Sequence, residues 1–287
     1  AVKWLWGQGI PIDKVDKMGY SPLMFACQKG NVDIINFLIE NGADRKRIFQ
    51  NSKTKKTYLN SSKSMIHFAC ESGNLDAIKI FADDDVNSLC WEGTPLNIVV
   101  RSNSIDATKY LLEKGADPNI GSELHEFPIL NAAGNGNVEI LKALVESGAS
   151  VKVMCGKTTA LDLAFKGNFT DCVIYLVSKD AETKELNRPP LIFVAMNQNY
   201  ELLMNLLSIN EKLISQKDFE GNNVFHFLGY NQAIDVMNFL LPKYKPQDIP
   251  NKIGLTPLGL AALNNKEESV RFFIKNGCNP NNRDAKD

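Results

Sequence analysis

Histidine is almost missing from this chain: 287 residues hold three, His67, His125 and His226. That scarcity leaves little material for acid–base or metal chemistry, and no HExxH run, Walker phosphate loop or nucleophile elbow makes up for it. The six cysteines, Cys27, Cys70, Cys90, Cys155, Cys172 and Cys278, contain no CxxC pair, so a zinc site is not expected. Net charge is also nearly absent, at −1, and no global field draws the molecule toward nucleic acid or an anionic membrane. No apolar run approaches the eighteen or so residues that span a bilayer. Residues 1–13 lack the basic–apolar–small layout of a secretory leader. The expectation is a non-enzymatic protein with no cofactor and no metal, in a reducing compartment, cytoplasmic or nuclear.

What the chain does have is a period. A hexapeptide of the hydroxyl–Pro–Leu type opens at Ser21, Ser64, Thr94, Phe127, Thr159, Pro189, Asn223 and Thr256, in steps of 43, 30, 33, 32, 30, 34 and 33 residues. The clearest copies are Ser21-Pro22-Leu23-Met24-Phe25-Ala26, Thr94-Pro95-Leu96 and Thr256-Pro257-Leu258-Gly259-Leu260-Ala261. In the first full copy, Ser21 is placed to cap a helix and Pro22 to occupy its first position, where a missing N–H costs nothing. Leu23, Phe25 and Ala26 then form an apolar stripe, and Gly30-Asn31 closes the helix. Val32 to Ile39 reads as a second helix, closed by Gly42, and Asp16 to Gly19 reads as a β-turn. One such helix pair cannot bury both its stripes, so neighbouring copies must stack. Cys27 and Cys70 fall at the same place in two copies and read as small core fillers.

These residues resemble the ankyrin-repeat family, whose hexapeptide reads T-P-L-H-x-A and whose second helix ends in G-A-D-x-N. The ending appears here as Gly42-Ala43-Asp44, Gly115-Ala116-Asp117-Pro118-Asn119, Gly148-Ala149-Ser150 and Gly277-Cys278-Asn279-Pro280-Asn281. The resemblance covers the whole chain. It implies an all-α solenoid of stacked helix–turn–helix units with β-turn or hairpin tips, forming one array over residues 1–287. It also implies that His67 and His226 hydrogen-bond neighbouring turns. Residues 1–13 read as part of an incomplete repeat, with a tryptophan of Trp4 and Trp6 in its core. Both ends are expected to continue into a longer protein.

The same resemblance implies partner binding on a concave face made of turn tips and exposed first-helix positions. The tip and helix residues selected on that basis are Lys17, Met18, Tyr20, Trp91, Arg101, Leu124, Phe219, Tyr230, Ile253 and Leu255, with Met196, Leu263 and Asn264 among the exposed first-helix positions. Aromatic anchors commonly carry binding energy, which favours Trp91, Tyr20, Phe219 and Tyr230. The expected partner is a protein or an extended peptide, and the expected state is monomeric.

One departure is large. The first step is about ten residues too long, and its insertion, residues 45–63, carries Arg45, Lys46, Arg47, Lys53, Lys55, Lys56 and Lys63 with no acidic residue. It reads first as a mobile, solvated loop. Its functional alternative is docking of phosphate or nucleic acid, although nucleic acid is not the expected partner. The other alternative to a simple binding module is a recruiting arm of a larger enzyme, channel or secreted effector.

Overall fold

The structure is a computed structural model and describes residues 7, 9, 11–50, 62–83, 85–183, 188–246 and 248–282. The chain divides into two compact units, Ala1–Gly156 with Lys166–Cys172, and Lys157–Phe165 with Val173–Asp287. Among the described residues the first unit holds four helix pairs: α1 (Pro22–Gln28) and α2 (Val32–Glu40), α3 (Met65–Ser72) and α4 (Leu75–Phe81), α5 (Pro95–Arg101) and α6 (Ile105–Glu113), α7 (Pro128–Gly134) and α8 (Val138–Glu146). First helices pack in the row α1–α3–α5–α7, and second helices in the row α2–α4–α6–α8. Between the first two pairs, β1 (Phe49–Gln50) and β2 (Ser62–Lys63) pair antiparallel with Phe49 opposite Lys63. The arms of the basic insertion are thus paired strands, not solvated loop; Lys53, Lys55 and Lys56 lie outside the described residues, as do Trp4 and Trp6.

Short strands β3 (Met154–Cys155) and β4 (Thr158–Thr159) precede α9 (Ala160–Lys166) and α10 (Thr170–Ser178). In the second unit α11 (Pro190–Met196) pairs with α12 (Tyr200–Ile209), which runs on into a 3-10 turn at Glu211–Ser215. Pairs α13 (Val224–Tyr230) with α14 (Ile234–Leu240) and α15 (Pro257–Leu263) with α16 (Glu267–Lys275) follow, and α11, α13 and α15 form a row.

The caps fall where the hexapeptide puts them. Ser21 Oγ accepts from the Met24 N–H at 3.3 Å with Pro22 at the first position, and Thr94 and Thr256 do the same for α5 and α15. The expected stripe needs one correction: Met24 is fully buried whereas Phe25 is exposed. A seven-residue helix pressed between α2 and α3 buries Leu23, Met24, Ala26 and Cys27, and only the remaining direction is left for Phe25. All six cysteines are free thiols, and burial pushes Cys27 up to about 12, so it fills space and stays protonated.

Four of the turn tips share one construction. Asp16 Oδ1 accepts from the Met18 and Tyr20 N–H groups, at 2.8 and 2.9 Å, and the residue between, Gly19, has φ +90°. Ser122, Asp218 and Asn251 repeat this with their own second and fourth neighbours. His125, which has no place in a chemical motif, occupies the position of that glycine with φ +58°. The two residues after each anchoring side chain are held outward, so Met18, Leu124, Phe219 and Ile253 are all exposed.

The fourth hexapeptide residue bridges repeats. His67 Nδ1 accepts from the Ser64 N–H at 3.3 Å while Nε2 donates to the Ser88 carbonyl at 3.0 Å. His226 bonds Asn223 and Leu255 in the same way, and Asn97 stands in for the ring between Thr94 and Glu126. The neutral Nε2–H tautomer is assigned because a carbonyl faces that nitrogen. Burial lowers both histidines, His67 to about 4.

Gly229 on α13 is a test of the stacking. A Cβ there would lie 2.6 Å from the ring of Phe273, which is fully buried, and 3.7 Å from the Pro257 carbonyl oxygen. Alanine normally stabilises a helix interior by about 1 kcal/mol over glycine, but overpacking costs about 1–3 kcal/mol. Gly229→Ala is therefore expected to lower the urea midpoint; a higher midpoint would mean that Phe273 has room to move.

Candidate partner-binding surfaces

In the first unit the row of first helices carries a ladder of charged groups that satisfy one another. Gln28 Nε2 donates to Glu71 Oε2 at 3.0 Å, and the other oxygen of Glu71 meets the Lys63 ammonium. Lys63 also pairs with Glu92 at 2.7 Å; Arg101 reaches Glu92 at 2.9 Å and Glu126 at 3.7 Å. Four successive repeats contribute. Lys63 is buried and its ammonium sits 5.1 Å from the ring centroids of both Phe68 and Trp91. A cation held this way is structural and is not free to meet a phosphate.

The second unit is built differently. Its first helices α11, α13 and α15 read PLIFVAM, VFHFLGY and PLGLAAL, without an Asp, Glu, Lys or Arg. Met196, Tyr230 and Leu263 are exposed on them, Leu263 at 68%. Met196, Phe227, Tyr230, Leu260 and Ile253 line a groove of about 370 Å³; Glu220, Asn222 and Asn251 form a polar wall, and Asn231 and Asn264 complete the lining. That wall is fixed. Asn251 Nδ2 donates to Asn222 Oδ1 at 2.8 Å, Asn222 Nδ2 donates to Asp218 at 3.1 Å, and Arg188 pairs with the same Asp218 oxygen at 3.2 Å.

The residues selected from sequence fall into three groups. Lys17, Met18, Leu124, Phe219, Tyr230 and Ile253 are exposed, and Tyr230 and Ile253 meet in the groove just described. Tyr20, Trp91 and Leu255 are half-buried and used by the fold: Tyr20 lies against Phe25, Phe49 and Phe68, Trp91 lies beside Lys63, and the Leu255 carbonyl receives His226. Arg101 is exposed but ion-paired. In the insertion, Arg45 Nη2 donates to the Ile80 carbonyl at 3.0 Å and Arg47 Nη1 donates to the Asp13 carbonyl at 3.3 Å, which leaves Lys46 exposed. Asp83 pairs with Lys114 at 3.2 Å. Phe227 and Leu260 were not selected, because as apolar residues of a short helix they read as core. Among the described residues no cluster of three His, Cys, Asp or Glu side chains is arranged to hold a metal ion, and no helix is long and apolar enough to cross a membrane.

The stacked helix pairs, capped hexapeptides and bridging histidines define a repeat protein, and the family model described as ankyrin repeats matches residues 1–48, 45–122, 120–187 and 191–284. The chain belongs to the ankyrin-repeat family. It is 29% identical over 156 residues to the ankyrin repeat protein FPV014 of fowlpox virus, covering 52% of this chain and 33% of that protein. An ankyrin repeat protein of Rickettsia felis is 24% identical over 266 residues, covering 91% of this chain and 66% of that protein. The ankyrin repeat and KH domain-containing protein mask-1 of Caenorhabditis elegans is 25% identical over 295 residues, 88% of this chain but 11% of that protein. Among solved structures, the human ASB11 ankyrin repeat domain has the same fold, with a TM-score of 0.55, 24% identity, and coverage of 72% of this chain and 90% of that one. The chain thus spans a third or less of the fowlpox and nematode relatives and about two thirds of the rickettsial one.

Proposed function

We propose that this chain is a non-enzymatic recognition module that binds a protein partner on the α11–α13–α15 face of its second unit. Ankyrin repeats are in general protein–protein interaction modules. The observation that carries the choice of face is the contrast between the two rows of first helices. In the first unit the charged groups are consumed by one another, whereas α11, α13 and α15 leave Met196, Tyr230 and Leu263 uncovered beside a formed groove. Exposed apolar side chains gathered at a groove are what a partner surface needs and what a solvated face does not. The short share of its relatives that the chain covers supports a second reading, that the module is the recruiting arm of a larger protein.

The test is affinity capture with the whole chain as bait, beside a Tyr230→Ala/Ile253→Asp variant and an Arg101→Ala/Leu124→Ala variant. Once a captured protein is identified and purified, the first variant is expected to weaken its binding at least tenfold and the second to leave it within about twofold. The reverse order would move the site to the first unit.

A further inference from the structure

We propose that the groove of the second unit takes an extended peptide segment with two apolar anchors three residues apart and an acidic residue beside them; this deepens the partner reading above and rests on it. The argument starts from the lining. Phe227, Tyr230 and Leu260 make an apolar floor between neighbouring first helices, with Met196 one repeat earlier and Ile253 on the tip. Packed helices lie about 9–10 Å apart. A chain in the extended polyproline II form advances about 3.1 Å per residue and returns to the same side every three residues, so three residues carry an anchor from one repeat to the next.

The wall leaves little spare hydrogen bonding. Asn222 is tied to Asn251 and to Asp218, and Asn251 Oδ1 also receives the N–H groups of Ile253 and Leu255. Glu220, the carboxylate of the wall, accepts from Asn222 Nδ2 at 3.1 Å. Glu220 is the carboxylate of the lining, and two ammonium groups stand at the rim beside Tyr230 and Ile253. Lys266 holds its ammonium 5.1 Å from the Tyr230 ring centroid, and Lys252 sits exposed on the tip next to Ile253. Among the described residues neither has a carboxylate within ion-pair distance. An acidic residue on the occupant would answer both, and a basic one would meet them unfavourably.

The experiment pans a random dodecapeptide library, displayed on phage, against the whole chain. The enriched sequence is then synthesised with a fluorophore for anisotropy titration against wild type, Ile253→Asp and Lys252→Gln/Lys266→Gln. Ile253 and both lysines are solvent-facing or half-exposed, and circular dichroism confirms that each variant is folded. The expected result is enrichment of apolar-x-x-apolar sequences carrying Asp or Glu. Their binding should weaken at least tenfold in Ile253→Asp and at least threefold in the lysine variant, and should fall as salt rises. Peptides lost in Ile253→Asp but indifferent to the lysines and to salt would overturn the acidic class while leaving the partner face standing. Peptides indifferent to Ile253→Asp would overturn both. Failure to enrich any peptide overturns the proposal, and sedimentation showing a dimer dispersed by Ile253→Asp would replace the peptide with a second copy of the chain.

Discussion

Replacing Lys63 by methionine is expected to destabilise the first unit by about 3 kcal/mol, because removing one partner of a buried ion pair strands the other. The Lys63 side chain is 3% exposed and its ammonium bridges Glu71 and Glu92 on two successive repeats; without it Glu92 keeps Arg101 at 2.9 Å, and Glu71 keeps no cation among the described residues. Methionine keeps most of the length and the contact with Phe68 and Trp91, so the loss comes from the two carboxylates. Both retain a fifth to a quarter of their exposure, which puts the cost at the lower end of what buried pairs show. With Trp4 and Trp6 changed to phenylalanine, Trp91 becomes the only tryptophan, and its fluorescence follows urea unfolding of this region. Adding Glu71→Gln and Glu92→Gln to Lys63→Met should recover more than half of the loss, since neutral amides no longer need the ammonium. A loss below about 1 kcal/mol would reduce the ladder to ordinary surface electrostatics. An unrelieved loss in the triple variant would assign the effect to packing.

Lys63 also marks the limit of what the residues alone disclose. In sequence it belongs to a basic run with no acid nearby, and such a run reads as solvated. One partner, Glu71, comes from α3 of the same repeat, and the other, Glu92, from the next tip. A usable signal was nevertheless present. The residue directly before each hexapeptide is Tyr20, Lys63, Gly93, Glu126, Thr158, Arg188, Asn222 or Leu255, and none of the eight is exposed. The tip folds back over that position, so anything there is half-buried or buried, whatever its polarity. This accounts for Tyr20 and Leu255 being packing residues, and for Arg188 being paired with Asp218. The fold itself was legible because it is set by local chemistry: hydroxyl caps, proline at the first helical position, glycine or histidine at the positive-φ place. The groove was only partly legible. Tyr230 and Ile253 stand out as large side chains at tip and helix-end positions, but Phe227 and Leu260 become a floor only when two repeats are placed side by side.

The second large effect is one of acidity. Below about pH 6.5 the first unit is expected to lose stability, through roughly 3 kcal/mol by pH 4, on account of His67 alone. The direction follows from where the protons sit. Burial lowers the folded value of His67 to about 4, from an ordinary value of 6.5, so between these pH values the unfolded chain binds a proton that the folded chain refuses. Stability is therefore complete above about pH 6.5, falls as pH drops toward 4, and gains no further slope from this residue below that. The geometry supplies the reason. Nδ1 is the acceptor for the Ser64 N–H, and a proton there removes the bond that closes the α3 cap while placing a charge beside Lys63. His226 is lowered by burial in the same direction, and its Nδ1 faces Asn223 Oδ1 at 2.9 Å much as His67 Nδ1 faces Ser64 Oγ at 2.8 Å. Asn97 already performs the His67 task one repeat later with no titrating group, which makes His67→Asn the decisive variant. Urea midpoints measured by Trp91 fluorescence between pH 7.5 and pH 4.5 should fall steeply for the parent and clearly less for His67→Asn. Parallel curves would show that the carboxylates of the ladder, and not the ring, set the acid sensitivity of this unit.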